Sequence, residues 1–135
     1  MHSDTRYLAG KKFETIVGTH RIITDQPVAE GGTDAGPTPP ELLLASLGSC
    51  AGHYAAEYLQ TRSLDATDLE IRVSAAKGTS PARLASFRIE VNVPGIDERH
   101  QQGLLRAVKT CLIHNTLLTG PTLEVVVTAT HTLSV

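Results

Sequence analysis

The stretch Gly31–Arg62, GGTDAGPTPPELLLASLGSCAGHYAAEYLQTR, joins a Gly/Pro-rich loop to one long apolar helix, and it constrains the fold more than any other part of the chain. Thr38 suits the N-cap, Pro39 the first helical position, and Glu41 stands three residues after Thr38, so Thr38-x-x-Glu41 has the form of a capping box. Beyond it Leu43, Leu44, Leu47, Cys50, Ala51, Tyr54 and Tyr58 recur at three- and four-residue spacings, which places them on one side of a helix. Cys50 lies inside this apolar stripe. Gly48, Gly52 and Ala56 form a second line, and because an interior glycine costs about 1 kcal/mol relative to alanine, close packing is expected along it.

With 135 residues, 41% of them hydrophobic and 19% charged, the chain suits one domain over 1–135 with a real core. A formal net charge of -2 without a run of like charges argues against nucleic-acid or membrane partners held by charge. Neither an apolar run of membrane-spanning length nor a signal-peptide core is visible, so a cytosolic (cytoplasmic) location is expected. Two cysteines do not make a secreted disulfide framework. In a reducing compartment such a pair is more often catalytic, redox-sensing or metal-binding.

Taken in order, Phe13–Val17 and Arg21–Thr24 form a hairpin across Gly18-Thr19-His20, leading to Asp25-Gln26-Pro27 and the loop. Leu69–Ala75 and Phe87–Val93 alternate with period two and predict an antiparallel pair. Asp97 caps a second helix in which Leu104, Leu105, Val108, Cys111 and Leu112 share a face. Gly120-Pro121 closes it, and the β-branched stretch Leu123–Leu133 predicts a final strand. The expected class is α+β, a mostly antiparallel sheet on two helices.

Each cysteine rides an apolar helical stripe, so the two thiols come within disulfide reach if the helices share a sheet, and otherwise each is a small buried hydrophobe. His53, one turn after Cys50, either favours its thiolate or is an edge residue; Glu57 fits a surface or interface charge. Cys50-x-x-His53 and Cys111-x-x-His114 together contain a complete ligand set for a structural Zn²⁺, although the pairs are 61 residues apart and lack the compact loops of a zinc finger. No cofactor is expected: Gly31, Gly32 and Gly36 match neither a phosphate loop nor a dinucleotide fingerprint, and Ser46 and Ser49 have no nucleophile elbow.

The stretch GGTDAGPTPPELLLASLGSC, followed about 60 residues later by KTCLIHNTL and a β-branched end, resembles the OsmC/Ohr family, specifically its OsmC-like branch, over nearly the whole chain. The resemblance implies the OsmC-like fold, an intertwined homodimer with a long central Cys-bearing helix and active sites at the subunit interface. It further implies thiol-dependent reduction of organic or inorganic hydroperoxides in oxidative-stress defence, reset by a dithiol such as a lipoylated protein or by a small thiol. By position Cys50 matches the peroxidatic cysteine, Cys111 the resolving one, and Glu41 the glutamate that holds a catalytic arginine in active members. The arginine's local pattern is not matched. Arg21 is the nearest candidate, and His20 better fits the OsmC-like branch. The alternatives are a redox-sensing or small-ligand-binding dimer of the same fold without efficient turnover, and the Zn²⁺ site.

Overall fold

The computed structural model describes residues 1–129. Five strands and three helices follow one another: β1 (Asp4–Ala9), β2 (Lys12–Val17), β3 (His20–Thr24), α1 (Pro39–Thr61), β4 (Glu70–Gly78), β5 (Arg83–Asn92), α2 (Glu98–Val108) and α3 (Leu112–Thr119). All strand pairing is antiparallel, but it divides between two sheets, β1-β2-β3 and β4-β5. The hairpin expected at Phe13–Thr24 is present with Phe13 opposite Thr24. An additional strand, β1, lies on its outer edge, where Thr5 pairs with Thr15 and Tyr7 with Phe13. Its residues are all exposed, so DTRYLA carries no buried-face alternation to announce it.

Helix α1 is 23 residues long and begins where the cap signal places it. The Glu41 amide donates to Thr38 Oγ1 at 3.4 Å and the Thr38 hydroxyl donates to Glu41 Oε1 at 2.8 Å, so the two side chains meet each other at the first turn. Leu47, Ala51, Ala55 and Leu59, four apart, are its buried row. Ala51 and Ala55 meet Leu104 and Val108 of α2 in the core, with Ile71, Ile89 and Val91 of the β4-β5 sheet packed around them. That sheet keeps the expected alternation, Ile71 and Val73 half-buried between exposed Glu70, Arg72 and Ser74.

The close packing expected along the line of Gly48 and Gly52 is made against β4 of the same chain: a Cβ at Gly48 would stand 3.3 Å from Val73, and one at Gly52 3.5 Å from Ile71. Two expectations are corrected. The second helix is broken into α2 and α3. Thr110 Oγ1 donates to the Ala107 carbonyl at 2.6 Å, and Cys111 turns extended with φ -54 and ψ 130 as the N-cap of α3. Leu104, Val108 and Cys111 are buried, whereas Leu105 and Leu112 are exposed, so the single apolar face does not persist through the break. Finally, residues 121–129 form no strand. They find no strand partner among the described residues, and Leu123, Val125 and Val127 are more than four-fifths exposed. The rest of the expected Leu123–Leu133 strand lies outside the described residues.

Helix α2 starts on Asp97, whose Oδ1 accepts from the Arg99 amide at 3.0 Å. Its Gly103 makes room for Tyr58 of α1: a Cβ there would stand 2.2 Å from the Tyr58 hydroxyl. That hydroxyl is itself 3.2 Å from His100 Nδ1, and the ring carries the Arg62 guanidinium on its face. A rigid ring held on two sides cannot swing aside cheaply. Gly103→Ala is expected to destabilise the protein by about 1–3 kcal/mol, read as a lower urea midpoint with unchanged slope.

Candidate functional site

Cys50 lies near the middle of α1, half-buried, and Cys111 at the start of α3, fully buried; both are free thiols. The path from α1 through two strands and α2 returns the chain against α1, on which α3 also packs, so the two thiols, 61 positions apart in sequence, lie near enough for Cys50 to bear on the ionisation of Cys111. Burial first, and then the neighbouring Cys50 thiol, push the Cys111 thiol above its ordinary value, while the backbone amides of His114 and Ile113 pull the other way. No fully formed hydrogen bond closes this cap. Of the pair, Cys50 is the one that solvent reaches.

The other expected site residues are placed as follows. Glu41 is exposed at the first turn of α1 and meets Thr38. Arg21 lies on β3, with its Nε donating to Glu14 Oε2. The second oxygen of Glu14 accepts from Arg6 Nε and Nη2 at 3.1 and 2.9 Å. Glu14 is buried beneath the two guanidinium groups, and Arg21 foremost, then Arg6, hold its carboxyl below the ordinary range. Within one chain, therefore, the glutamate that holds Arg21 is Glu14. The alternation of β2 and β3 puts Glu14 and Arg21 on one face of the sheet, a signal the sequence contained but sequence reasoning did not use.

His53 is exposed and stands edge-on to Tyr54, with ring centroids 5.4 Å apart. His114 is half-buried, its Nδ1 3.4 Å from Asn115 Oδ1. Among the described residues no group of three or more His, Cys, Asp or Glu side chains could hold a metal ion, so Cys50, His53, Cys111 and His114 do not assemble into a Zn²⁺ site there.

A second buried carboxylate orders the loop before α1. Asp25 is 1% exposed. It accepts from the amides of Gln26, Thr33 and Ala35 at 2.8, 3.1 and 3.1 Å and from the Thr33 hydroxyl at 2.7 Å. The Thr33 hydroxyl above all, then these amides, hold its carboxyl far below the ordinary range. Gly32 and Gly36 permit the closure: a Cβ at Gly32 would overlap the Gln26 carbonyl at 1.9 Å, and one at Gly36 the Ile23 carbonyl at 2.1 Å. Asp25 thus sets the entry into the cysteine-bearing helix.

A cleft of about 1150 Å³ runs between β5 and helices α2 and α3 and is lined by Phe87, Ile89, Val91, Leu104 and Leu117 among others. Leu47 and His114 border it, whereas neither cysteine does. It is an apolar wall beside the thiol pair.

The OsmC-like protein family model matches residues 31–126, from the loop glycines through both cysteines into the chain's β-branched stretch. The chain belongs to this family. No curated protein matches it. Among solved structures it is similar to one from Psychrobacter arcticus named for an osmotic-stress-induced detoxification response, at 23% identity and a TM-score of 0.75 over 84% of this chain and 85% of that one. An OsmC-like protein of Mycoplasma pneumoniae follows at 19% identity and 0.73, over 88% and 87% of the two chains. An organic hydroperoxide resistance protein of Bacillus subtilis follows at 21% and 0.58, over 88% and 90%. At these identities the likeness is one of fold: the α+β OsmC-like architecture is common to all three. No helix among the described residues is long and apolar enough to cross a membrane.

Proposed function

We propose that this OsmC-family chain is a thiol-dependent hydroperoxide reductase, with Cys50 the peroxidatic and Cys111 the resolving cysteine. The observation that carries the reading is the nearness of the chain's two thiols, one half-exposed on α1 and one buried at the start of α3, which packs on α1. The Cys50 thiolate attacks the O–O bond of the hydroperoxide; one oxygen stays on sulfur as a sulfenic acid, and the other leaves as the alcohol once protonated. Cys111 then displaces the hydroxyl as water and closes a disulfide. A dithiol reductant, such as a lipoylated protein, takes over that disulfide and restores both thiols. The family's link to organic hydroperoxide resistance and the apolar wall beside the pair support an organic peroxide as substrate.

The working unit is a homodimer. The chain exposes 10427 Å², roughly half as much again as the about 6,800 Å² of a compact monomer of its 14.4 kDa mass. Strands β1, β2 and β3 pack mainly on one another, leaving Tyr7, Phe13 and Val17 exposed. An unfilled apolar cleft and exposed apolar strands in one chain are what association with a second copy covers. Light scattering is expected to give twice the chain mass, and a monomer at micromolar concentration would contradict the assignment. A cytoplasmic location agrees with reversible thiol chemistry in a reducing compartment.

The deciding experiment is a thiol count before and after one equivalent of an alkyl hydroperoxide, with the mass of the product. Loss of both thiols to one intramolecular disulfide is expected; survival of both in excess peroxide would sink the peroxidase reading. One observation favours the redox-sensing or ligand-binding alternative: Glu14 and not Glu41 holds Arg21, while Glu41 meets Thr38, so the expected pairing of Glu41 with Arg21 is not made within the described residues. On that reading the disulfide forms but steady-state turnover with a dithiol does not exceed a few cycles.

A further inference from the structure

Leu47 is 1% exposed, and among the described residues it is the one residue of α1 that borders the cleft between β5, α2 and α3. Ala51 and Ala55, next in its buried row, meet Leu104 and Val108 in the core. Cys50 lies three positions after Leu47. On a helix that spacing stacks two side chains on one face, with Cβ atoms about 5–6 Å apart. Cys50 is half-buried, yet it does not border the cleft. The Leu47 side chain is therefore the partition between an apolar space and the sulfur one turn along the helix. The lining of that space suits hydrocarbon: Phe87, Ile89, Val91 and Leu117 border it, and no side-chain carboxylate does among the described residues.

We propose that Leu47 is the residue that sets how large an alkyl group the hydroperoxide presented to Cys50 can carry. With leucine in place, the peroxide meets Cys50 on the side that solvent reaches, and its alkyl group is stopped at the Leu47 wall. Compact groups fit against that wall. With the wall cut back to a methyl, the cleft and the thiol share one space, and a bulky apolar group extends into the cleft while the peroxide oxygen stays at the sulfur. Burying the added hydrocarbon there lowers the barrier for the bulky substrate and does little for the compact one, because selectivity is a ratio of transition-state binding strengths. Leu47 touches the alkyl group and no reacting atom, so it acts on specificity and not on the chemistry of the peroxide bond. This inference rests on the peroxidase reading above and adds to it the residue that selects the substrate.

The test compares two tertiary hydroperoxides that differ in one substituent, tert-butyl hydroperoxide and cumene hydroperoxide, in which a phenyl group replaces a methyl. The unmodified protein, Leu47→Ala and Leu59→Ala are each mixed with either peroxide, and the second-order rate constant for loss of the Cys50 thiol is measured. Leu59 is buried in the same row but lies about 18 Å further along the helix, and it does not border the cleft. It reports what the loss of a buried leucine does by itself. The cumene-to-tert-butyl ratio is expected to rise about tenfold or more in Leu47→Ala and to stay unmoved in Leu59→Ala. An unmoved ratio in Leu47→Ala, or an equal rise in both variants, would overturn the role of Leu47 while leaving Cys50 as the reacting thiol. Failure of the unmodified protein to react with either peroxide would instead overturn the peroxidase reading, and the inference with it. Should Leu47→Ala fail to fold, Leu47→Val takes its place: the ratio is expected to rise in the same direction, and an unchanged one refutes the assignment.

Discussion

Replacing Cys50 by serine is expected to lower peroxide consumption by about three orders of magnitude or more, to the background rate of the buffer and reductant. The size of the effect follows from the site's economy: among the described residues the cysteines are the only thiols, and Cys111 is fully buried and holds its proton more firmly than usual. A serine hydroxyl at position 50 keeps the packing but supplies no thiolate. The companion change, Cys111→Ser, separates the two roles. It is expected to leave the first turnover intact and stop the cycle at a Cys50 sulfenic acid, read as a mass increase of one oxygen and as reaction with a sulfenic-acid trap. Equal activity in Cys50→Ser and the unmodified protein, measured as loss of alkyl hydroperoxide with dithiothreitol present, would remove Cys50 from the mechanism.

Replacing Asp25 by alanine is expected to cause the largest loss of stability among single changes away from the thiols. Three amides and a hydroxyl end on this one buried carboxylate. Its removal leaves those donors facing a void, in the class of changes that produces the large destabilisations. Thermal unfolding is expected to shift down by several degrees, and Asp25→Asn to recover only part of that because an amide accepts at one atom, not two. The pH dependence has a definite sign. The folded-state carboxyl is held below its ordinary value of 3.8, so its contribution is fully present above that value and is lost as the pH falls beneath it. The unmodified protein should therefore lose stability in acid more steeply than Asp25→Ala, the gap between them closing as the pH drops. Parallel curves across that window would contradict the assignment.

The start of α1 was legible because its signals are local: a capping threonine, two prolines, and a glutamate three residues on need only one turn of backbone to act. Alternation in Ile71–Val73 and Phe87–Val91 was legible for the same reason, since a strand's two faces are encoded at period two wherever one face is covered. β1 was not legible, because both of its faces are exposed and no burial pattern is imposed on Asp4–Ala9. The break between α2 and α3 was hidden by a real periodicity: Leu104, Val108 and Cys111 are all buried, yet Cys111 arrives there as an extended cap and not as the next helical turn.

By itself the sequence determined the family, the α+β class, the cysteine-bearing helix and the identity of the two thiols, because each rests on residue type and short spacing. Only the tertiary structure decided that Gly48 and Gly52 lie against a strand, that Glu14 takes Arg21, that Asp25 ties the loop, and that Cys111 caps a third helix packed on α1. These are contacts between residues distant in sequence. Their partners are chosen by how the elements pack, which no local spacing encodes.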